Sequence, residues 1–374
     1  MRYKLFGKHT GLRVSELVLG AGTFGTRWGH GAEPDEASRI FNAYADAGGN
    51  FIDTANGYQF GQSEEILGDL LSGRRDEFVL ATKFTFQTDP KAGILVTGNS
   101  RRSMVSSVEA SLKRLKTNRI DLYWAHVSDG VTPLDEIVRG FDDLARAGKI
   151  LYAGLSDFPA WRVARAATIA ELRGGTPIAG LQVEHSLVER TTEQELLPAG
   201  QALGLGIVAW SPLGGGVLTG KYRRGETGRR EGFGGRVFQE ENSSHRTAIL
   251  DTLIAVAKDA GVTPAEIAIA WVAAKGSLPI IGPRTLAQLE NNLAAAKVTL
   301  SPAQITRLDE ASAIAPVFPF RMLNNPETQQ GFTGGKLEQF DAPVEPVACR
   351  AWAPGCPRIR PPASQASLDR SSGT

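Results

Sequence analysis

Short apolar runs recur along the chain, and most are separated by segments with the spacing of an amphipathic helix. Met104, Val108, Leu112 and Leu115 mark one such helical face at steps of three and four. The runs are predicted to be strands: Leu17–Gly20, Asn50–Asp53, Phe78–Thr82, Ile120–Trp124, Leu151–Leu155, Ala179–Val183, Ile207–Trp210 and Pro279–Gly282. Near-continuous apolar strands alternating with helices indicate a parallel sheet covered on both faces, and eight such units close a (β/α)8 barrel.

Residues typical of helix starts support this alternation of strands and helices. Thr132-Pro133, Thr263-Pro264 and Ser301-Pro302 each predict a helix start with an N-cap, a proline at the first helical position and a polar residue at the third. Before the first barrel strand, YKLF and LRV flank residues 7–11 and predict a small β-hairpin.

Two segments depart from the repeating pattern. Residues 211–244 are rich in Gly and Arg without apolar periodicity, and so long a loop in a compact domain is usually functional. From residue 342 onward Pro and Ser accumulate and the periodicity ends. We therefore predict one domain over residues 1–341 and a disordered tail over 342–374.

Charge narrows the range of partners. The chain has 41 basic and 40 acidic residues, net +1, which gives no general attraction to nucleic acid or anionic membranes and favours a small, roughly neutral partner. No run approaches a membrane span, and the N-terminus lacks a signal-peptide core, so a cytoplasmic location is expected. Cys349 and Cys356, without nearby histidines, predict neither a disulfide framework nor a metal site.

Two nucleotide motifs occur in unsuitable contexts. Gly20–Gly25 matches G-x-G-x-x-G after a strand, but helical periodicity begins only near Asp35, whereas the dinucleotide fingerprint needs its third glycine to open a helix. Gly215–Lys221 nearly reproduces a P-loop, but Tyr222 replaces the Ser or Thr that binds Mg²⁺. Nucleotide hydrolysis is therefore not expected, although this segment can still cradle phosphates.

Four polar residues lie at or just after the ends of apolar runs: Asp53, Tyr58, Lys83 and His126. On a parallel barrel these side chains emerge at one rim. A lysine ammonium beside a phenol lowers its pKa from about 10, a carboxylate keeps the ammonium charged, and an imidazole can donate to a substrate oxygen. Taken singly, Asp53 could cap the following turn and Lys83 could be a solvated strand end. Tyr58 could likewise be a surface aromatic and His126 a satisfied core imidazole. Together they predict a proton-transfer site.

The order and flanking residues of these four resemble the catalytic tetrad of the aldo-keto reductase superfamily, and the resemblance extends over residues 3–325. The pattern is most similar to bacterial members that resemble aryl-alcohol dehydrogenases and potassium-channel β subunits. The resemblance implies a barrel closed below by the hairpin, a long cofactor-binding loop after the seventh strand, and bound NADP(H).

The resemblance also implies positions for the cofactor. Asp53 belongs to this set, and Arg284 is expected to read a 2′-phosphate because its fork geometry matches one. Contacts on the nicotinamide side are implied for Gly22, Thr23, Phe24, Ser156, Asp157, Gln182 and Trp210. Contacts with the phosphates and adenine are implied for Ser211, Pro212, Leu213, Gly214, Gly216, Lys221, Gly282, Gln288, Asn291 and Asn292. Three residues depart from the usual pattern: Asp157 replaces Asn, His185 replaces Tyr, and Asn291 replaces Glu.

The function implied is NADPH-dependent reduction of aldehydes or ketones to alcohols. The alternative is a redox-sensing regulatory subunit that keeps the fold and cofactor, as channel β subunits do. An apolar pocket for a non-sugar carbonyl is suggested by five aromatic residues, for which loop packing is an equal alternative: Trp28, Phe84, Phe86, Phe318 and Phe320. The sequence does not identify the substrate or the oligomeric state.

Overall fold

Eight parallel strands form a closed barrel in the computed structural model, which describes residues 1–89, 91–226 and 239–340. The strands are β3 (Val18–Gly20), β4 (Phe51–Asp53), β5 (Val79–Phe84), β6 (Ile120–Ala125), β7 (Ile150–Ser156), β8 (Ile178–Glu184), β9 (Gly206–Trp210) and β10 (Leu278–Ile281). They pair in chain order, and β10 closes the ring by pairing with both β3 and β9. The predicted (β/α)8 barrel and its eight strands are confirmed.

The helices form the outer layer. They are α1 (Pro34–Asp46), α2 (Gln62–Leu70), α3 (Arg101–Arg114), α4 (Leu134–Arg146), α5 (Ala160–Leu172), α6 (Leu196–Ala202), α7 (Ser244–Ala260), α8 (Pro264–Ala274), α9 (Leu286–Ala294), α10 (Pro302–Ala311), α11 (Phe320–Leu323) and α12 (Pro326–Phe332). Within the described residues, no helix is long and apolar enough to cross a membrane.

Two of the three predicted helix starts are confirmed. Thr263 and Ser301 each form a complete capping box with the residue three positions later. The third is wrong by one residue, because Pro133 itself is the N-cap of α4. The hydroxyl of Thr132 instead donates to Asp129, which places it in the preceding turn.

The predicted hairpin closes the amino end of the barrel. β1 (Tyr3–Leu5) and β2 (Arg13–Ser15) pair antiparallel. Phe6 is fully buried, and its ring meets Phe51 and Trp124 edge-on at centroid distances of 5.7 and 6.4 Å. Because the amino end is plugged by side chains, the carboxyl ends of the strands carry the open site.

The predicted loop over residues 211–244 contains two short 3-10 helices, Gly214–Thr219 and Lys221–Arg224, and α7 begins at its end. Residues 227–238 of this loop lie outside the described residues. So does the predicted tail, residues 342–374, which includes both cysteines.

Candidate active site

Lys83 connects two of the other predicted catalytic residues, Asp53 and Tyr58. Its side chain is fully buried, and its ammonium donates hydrogen bonds to the Asp53 carboxylate, to the Thr54 carbonyl oxygen at 2.8 Å and to the Tyr58 hydroxyl at 3.3 Å. Alternation along β5 turns Lys83 inward and its neighbour outward. The structure therefore brings three residues from different chain segments into one connected group.

The charge on Lys83 is maintained against burial. Burial alone would lower the pKa of the amine, but the Asp53 carboxylate and the Tyr58 hydroxyl outweigh it and raise that pKa. Gln182 donates its side-chain amide to the other Asp53 oxygen at 3.0 Å, which fixes the carboxylate toward the amine. A permanent positive charge thus lies against the phenol.

Tyr58 is held in a strained turn between β4 and α2. The two residues after it, Gln59 and Phe60, both have φ of 52°, in the left-handed region that side chains other than Gly, Asn and Asp seldom adopt. A Cβ on Gly22 would lie 3.4 Å from the Tyr58 ring, an ordinary contact distance, so the loop after β3 passes close to the phenol. Strain of this kind is concentrated at functional sites.

His126 follows β6 directly and completes the predicted tetrad. Its ring lies 5.7 Å from the Tyr58 ring, nearly perpendicular to it. Burial, reinforced by the charge on Lys83, holds the pKa of His126 well below its usual value, so the imidazole is neutral near pH 7. Its Nδ1 is buried without a hydrogen-bond partner among the described residues. A neutral imidazole offers one N–H donor to an oxygen in the cleft.

Aromatic side chains surround this pair. Trp28 meets Tyr58 and Phe60 edge-on at 6.1 and 6.2 Å, and Phe86 meets His126 at 4.9 Å. Phe60 was missed in the sequence, where its turn carries no apolar pattern. Trp28, Phe60 and Phe86 are hereafter called the aromatic rim.

The suggestion that Phe84 lines a substrate pocket is wrong. Its side chain is fully buried in the layer between barrel and helices, where its ring packs 5.2 Å from Tyr123 and 6.2 Å from Phe141. Because Lys83 points inward, the next residue of the strand must point outward. Phe318 is 76% exposed, and no described contact joins it or Phe320 to the tetrad.

The predicted nicotinamide-side residues meet at the ends of β7, β8 and β9. The Trp210 indole donates to Asp157 at 3.1 Å, and the Ser156 hydroxyl donates to the same carboxylate at 3.2 Å. The Asp157 backbone N–H donates to the Gln182 carbonyl at 3.0 Å. Burial raises the pKa of Asp157 to about 6, although the bonds from Trp210 and Ser156 act in the opposite direction.

The loop after β3 borders the same cleft through its backbone and small side chains. The Thr23 hydroxyl donates to the Pro283 carbonyl at 2.9 Å, which ties this loop to the one after β10. Phe24 is fully buried in the core between barrel and helices, so its side chain does not line the cleft.

The predicted phosphate segment forms a tight glycine turn. Gly214, Gly215 and Gly216 have φ of 55°, 66° and 101° in succession, after Ser211 at 52°. A Cβ on Gly216 would come within 2.9 Å of the Lys221 side chain, so the lysine lies directly across the turn. Pro212 and Leu213 lead into it. Backbone turned this way beside an ammonium suits an anion.

The predicted 2′-phosphate residues lie at the start of α9. An Arg284 N–H donates to His30 Nδ1 at 3.3 Å, and the Arg284 backbone N–H donates to Gln288 at 2.9 Å. The Leu286 N–H, in the first turn of α9, donates to Glu36 at 2.7 Å. Since a carboxylate already binds that amide, an anion here depends on the Arg284 side chain more than on the helix terminus.

The remaining predicted adenine-side residues differ in their surroundings. Gly282 is exposed between β10 and α9. Asn292 is buried at 6% exposure, and the side-chain oxygen of Asn291 accepts from the Thr263 hydroxyl at 2.9 Å. Asn291 thus links α9 to the start of α8. Across residues 1–89, 91–226 and 239–340, no cluster of His, Asp or Glu is arranged to hold a metal.

Comparison with known proteins places this geometry in a family. The Aldo/keto reductase family matches residues 16–313. An uncharacterized oxidoreductase, YrpG, from Bacillus subtilis is 39% identical over 83% of this chain and 95% of its own length. A norsolorinic acid reductase of Aspergillus flavus is 34% identical over 87% of this chain and 85% of its own. An aryl-alcohol dehydrogenase [NADP(+)] of Phanerodontia chrysosporium is 33% identical over 87% and 89%. The chain therefore belongs to the aldo/keto reductase family of oxidoreductases.

Proposed function

We propose that this chain is an NADP(H)-dependent carbonyl reductase that converts aldehydes or ketones to alcohols, with Tyr58 as the general acid. The observation that carries the proposal is the hydrogen-bonded chain from Asp53 through Lys83 to the Tyr58 hydroxyl. Such a chain presents an acidic proton beside a fixed positive charge, which a carbonyl oxygen needs as it becomes an alkoxide.

The bound nicotinamide cofactor would supply a hydride to the carbonyl carbon and leave oxidised. Tyr58 gives its proton to the carbonyl oxygen, which balances the reaction as an alcohol. Lys83 stabilises the phenolate that remains, and neutral His126 donates a hydrogen bond to the same oxygen. Solvent then returns a proton to Tyr58.

The residues present suit a dinucleotide with a 2′-phosphate. Lys221 across the glycine turn supports a pyrophosphate position, and Arg284 supports a third phosphate at the start of α9. Trp210 is half-buried at the end of β9, where a flat ring can pack against a nicotinamide. The aryl-alcohol dehydrogenase relative, named with NADP(+), agrees with this cofactor.

The aromatic rim favours an aromatic carbonyl substrate. Trp28 contacts Tyr58 and Phe86 contacts His126, so apolar surface flanks both groups assigned to the substrate oxygen. Two edge-on aromatic contacts at the reaction centre suit a planar aldehyde better than a sugar. A benzaldehyde series is therefore the first substrate panel.

The test of the general acid is Tyr58→Phe. The change removes one hydroxyl and keeps the ring, so kcat with an aromatic aldehyde should fall by about 10² to 10⁴, the range for losing a general acid. NADPH affinity, followed by tryptophan fluorescence, should stay within a few fold. Multiple turnovers by the unchanged enzyme would separate a reductase from a regulatory subunit, for which a slow single reduction is expected.

The matched control is Tyr3→Phe, which removes a hydroxyl that donates to the Gly48 carbonyl at 2.8 Å in the hairpin region. It should leave kcat unchanged. Tyr58→Phe activity near that of the unchanged enzyme would overturn the assignment of the proton donor.

The test of cofactor specificity is Arg284→Ala. Because only NADPH carries the 2′-phosphate, KM for NADPH should rise at least tenfold, while KM for NADH changes far less. Arg307→Ala, which breaks an exposed ion pair with Asp259, is the control. Equal losses for both cofactors would show that Arg284 does not bind the 2′-phosphate.

A further inference from the structure

Asp157 is a partly buried acid that the proton relay does not use. Its carboxylate is held by the Trp210 indole at 3.1 Å and the Ser156 hydroxyl at 3.2 Å. Its backbone N–H is held by the Gln182 carbonyl at 3.0 Å. The group is therefore tied to the ends of three neighbouring strands, on the side of the cleft assigned to the nicotinamide.

The backbone conformation at this position allows the charge of Asp157 to be removed without changing the shape of the side chain. Asp157 has φ of 52°, a conformation that Asn tolerates as readily as Asp. An amide of the same shape could accept the Trp210 hydrogen bond on its oxygen, and its NH2 group could donate to the Ser156 hydroxyl, which can also accept. The distinct property of the carboxylate is its negative charge.

We propose that Asp157 is a specificity-determining residue that favours the oxidised over the reduced cofactor, by placing a negative charge beside a ring that is cationic only when oxidised. This proposal depends on the proposed function, since it requires a nicotinamide between Trp210 and the tetrad. A charge pair a few ångströms apart in partly buried surroundings changes affinity on the order of tenfold or more. The neutral reduced ring gains nothing comparable.

The neighbouring groups leave this charge uncancelled. The charge on Lys83 acts on Asp157 and lowers its pKa, but the Lys83 ammonium donates to the Asp53 carboxylate. His126 is kept neutral by burial and by Lys83. Asp53 is engaged by Lys83 and by the Gln182 amide.

The bias should strengthen with pH. Burial raises the pKa of Asp157 to about 6, so about a quarter of the group is ionised at pH 5.5 and nearly all at pH 7.5. Over this range Lys83 stays charged, and burial together with the charge on Lys83 disfavours protonation of His126 by lowering its pKa. Tighter retention of the oxidised cofactor at neutral pH would favour hydride transfer from the bound cofactor to the carbonyl, and it would slow release of the oxidised cofactor afterwards.

The experiment is isothermal titration calorimetry of the full chain with NADP⁺ and with NADPH, at pH 5.5 and 7.5. The measured quantity is the ratio of the dissociation constant for NADPH to that for NADP⁺. The 2′-phosphate, which also titrates near pH 6, is common to both ligands and cancels in this ratio.

For the unchanged protein the ratio should rise about threefold from pH 5.5 to 7.5. In Asp157→Asn it should be independent of pH and about tenfold lower at pH 7.5, equivalent to about 30 mV in the potential of the bound two-electron couple. Asp135→Asn, which removes a half-exposed carboxylate on α4 paired with Arg173, should behave as the unchanged protein.

A second variant separates charge from shape. Asp157→Gly keeps the positive φ and removes the side chain, so it should lower the ratio as Asn does. A change in the Gly variant without one in the Asn variant would assign the effect to lost contacts and overturn the proposal. Equal ratios in all proteins would overturn it while the proposed function stands, and binding of neither cofactor would overturn both.

Discussion

Two clusters of buried charge lie near the carboxyl ends of the barrel strands, and only one of them has the features of a reaction site. The first is the tetrad cluster around Lys83 and Asp53. The second, here called the ion-pair clasp, lies between the segment after β8 and the outer helices. The clasp consists of Arg190, Glu193, Lys275 and Asp309. Each contains a buried lysine paired with a buried aspartate.

The donors and acceptors of the clasp form hydrogen bonds with other groups of the protein. Arg190 donates to both Glu193 oxygens at 2.8 and 2.6 Å, to the Asp309 carbonyl at 2.8 Å and to the Ser312 hydroxyl at 3.0 Å. Asp309 also accepts from the Trp271 indole at 2.9 Å and from Lys275 at 2.8 Å. These bonds join α8 and α10 to the barrel, which is a structural role.

The histidines beside the two clusters, His185 and His126, differ in the same way. His185 is fully buried, contacts Glu193 at 2.8 Å and packs 5.1 Å from Trp271. His126 contacts Tyr58 and Phe86 beside the open cleft. Both have a buried Nδ1 without a described hydrogen-bond partner, so that property does not discriminate between them. The distinguishing feature is whether the charged cluster ends on a group that a ligand can reach, as Lys83 ends on Tyr58.

The largest contrast is expected between Lys83→Met and Lys275→Met. The first should lower kcat by about 10² to 10⁴, because the phenol loses the ammonium that favours its ionisation. The second should leave kcat of the folded enzyme within about twofold. Lys83→Met should lower the free energy of unfolding by about 3 to 5 kcal/mol, since it leaves Asp53 without its lysine in a buried site. Lys275→Met should lower it by less, because burial lowers the pKa of Lys275. Arg190 and the Trp271 indole also still contact Asp309 in that variant.

Steady-state rates with an aromatic aldehyde and urea denaturation followed by circular dichroism measure the two effects. A loss of kcat in Lys275→Met as large as in Lys83→Met, at matched folded fraction, would contradict the division between a reaction site and a clasp.

The tetrad could be proposed from the sequence because strand ends are a local property. Asp53, Lys83 and His126 each lie at or just after the end of an apolar run, and a parallel barrel brings all such ends to one rim. The placement of Phe84 was also available from alternation, since a strand that turns Lys83 inward turns the next residue outward. The aromatic character of Phe84 does not show which face of the strand it occupies, whereas its position next to Lys83 does.

The clasp could not be predicted in the same way. Arg190 and Asp309 are 119 residues apart, and neither lies in a motif. Their contact depends on how α10 packs against the barrel, which no local pattern specifies. The same holds for Glu36, which accepts from the Leu286 N–H in the first turn of α9, 250 residues away in the chain.

A smaller effect is expected from Glu193→Gln, which tests the clasp alone. Burial opposes ionisation of Glu193, but His185 and Arg190 outweigh it and lower its pKa to about 2. A lowered pKa stabilises the fold above the unfolded value of about 4.5, and this contribution is lost as the pH falls toward 2. The variant should therefore be less stable at pH 7 by up to about 3 kcal/mol, and the difference should narrow below about pH 4.5.

Urea denaturation at pH 7 and pH 3.5 measures this difference, and kcat at pH 7 should stay unchanged. A difference in stability that is the same at both pH values would show that Glu193 acts through packing and not through its charge.

The smallest effect is expected from Asp157→Asn, which, unlike the clasp variants, should stabilise the protein. Burial raises the pKa of Asp157 from 3.8 to about 6, so ionising it in the folded state costs free energy above pH 6 that is absent below about pH 4. Full removal of that cost would be about 3 kcal/mol, and partial exposure reduces the expected gain to about 1 to 2 kcal/mol at pH 7.5. Urea denaturation without cofactor should show this gain at pH 7.5 and little at pH 4, with Asp135→Asn unchanged at both. Lower stability of Asp157→Asn at pH 7.5 would mean that the carboxylate belongs to a stabilising network like the clasp. A gain would show a charge that destabilises the free protein, as expected of a residue placed for a bound cation.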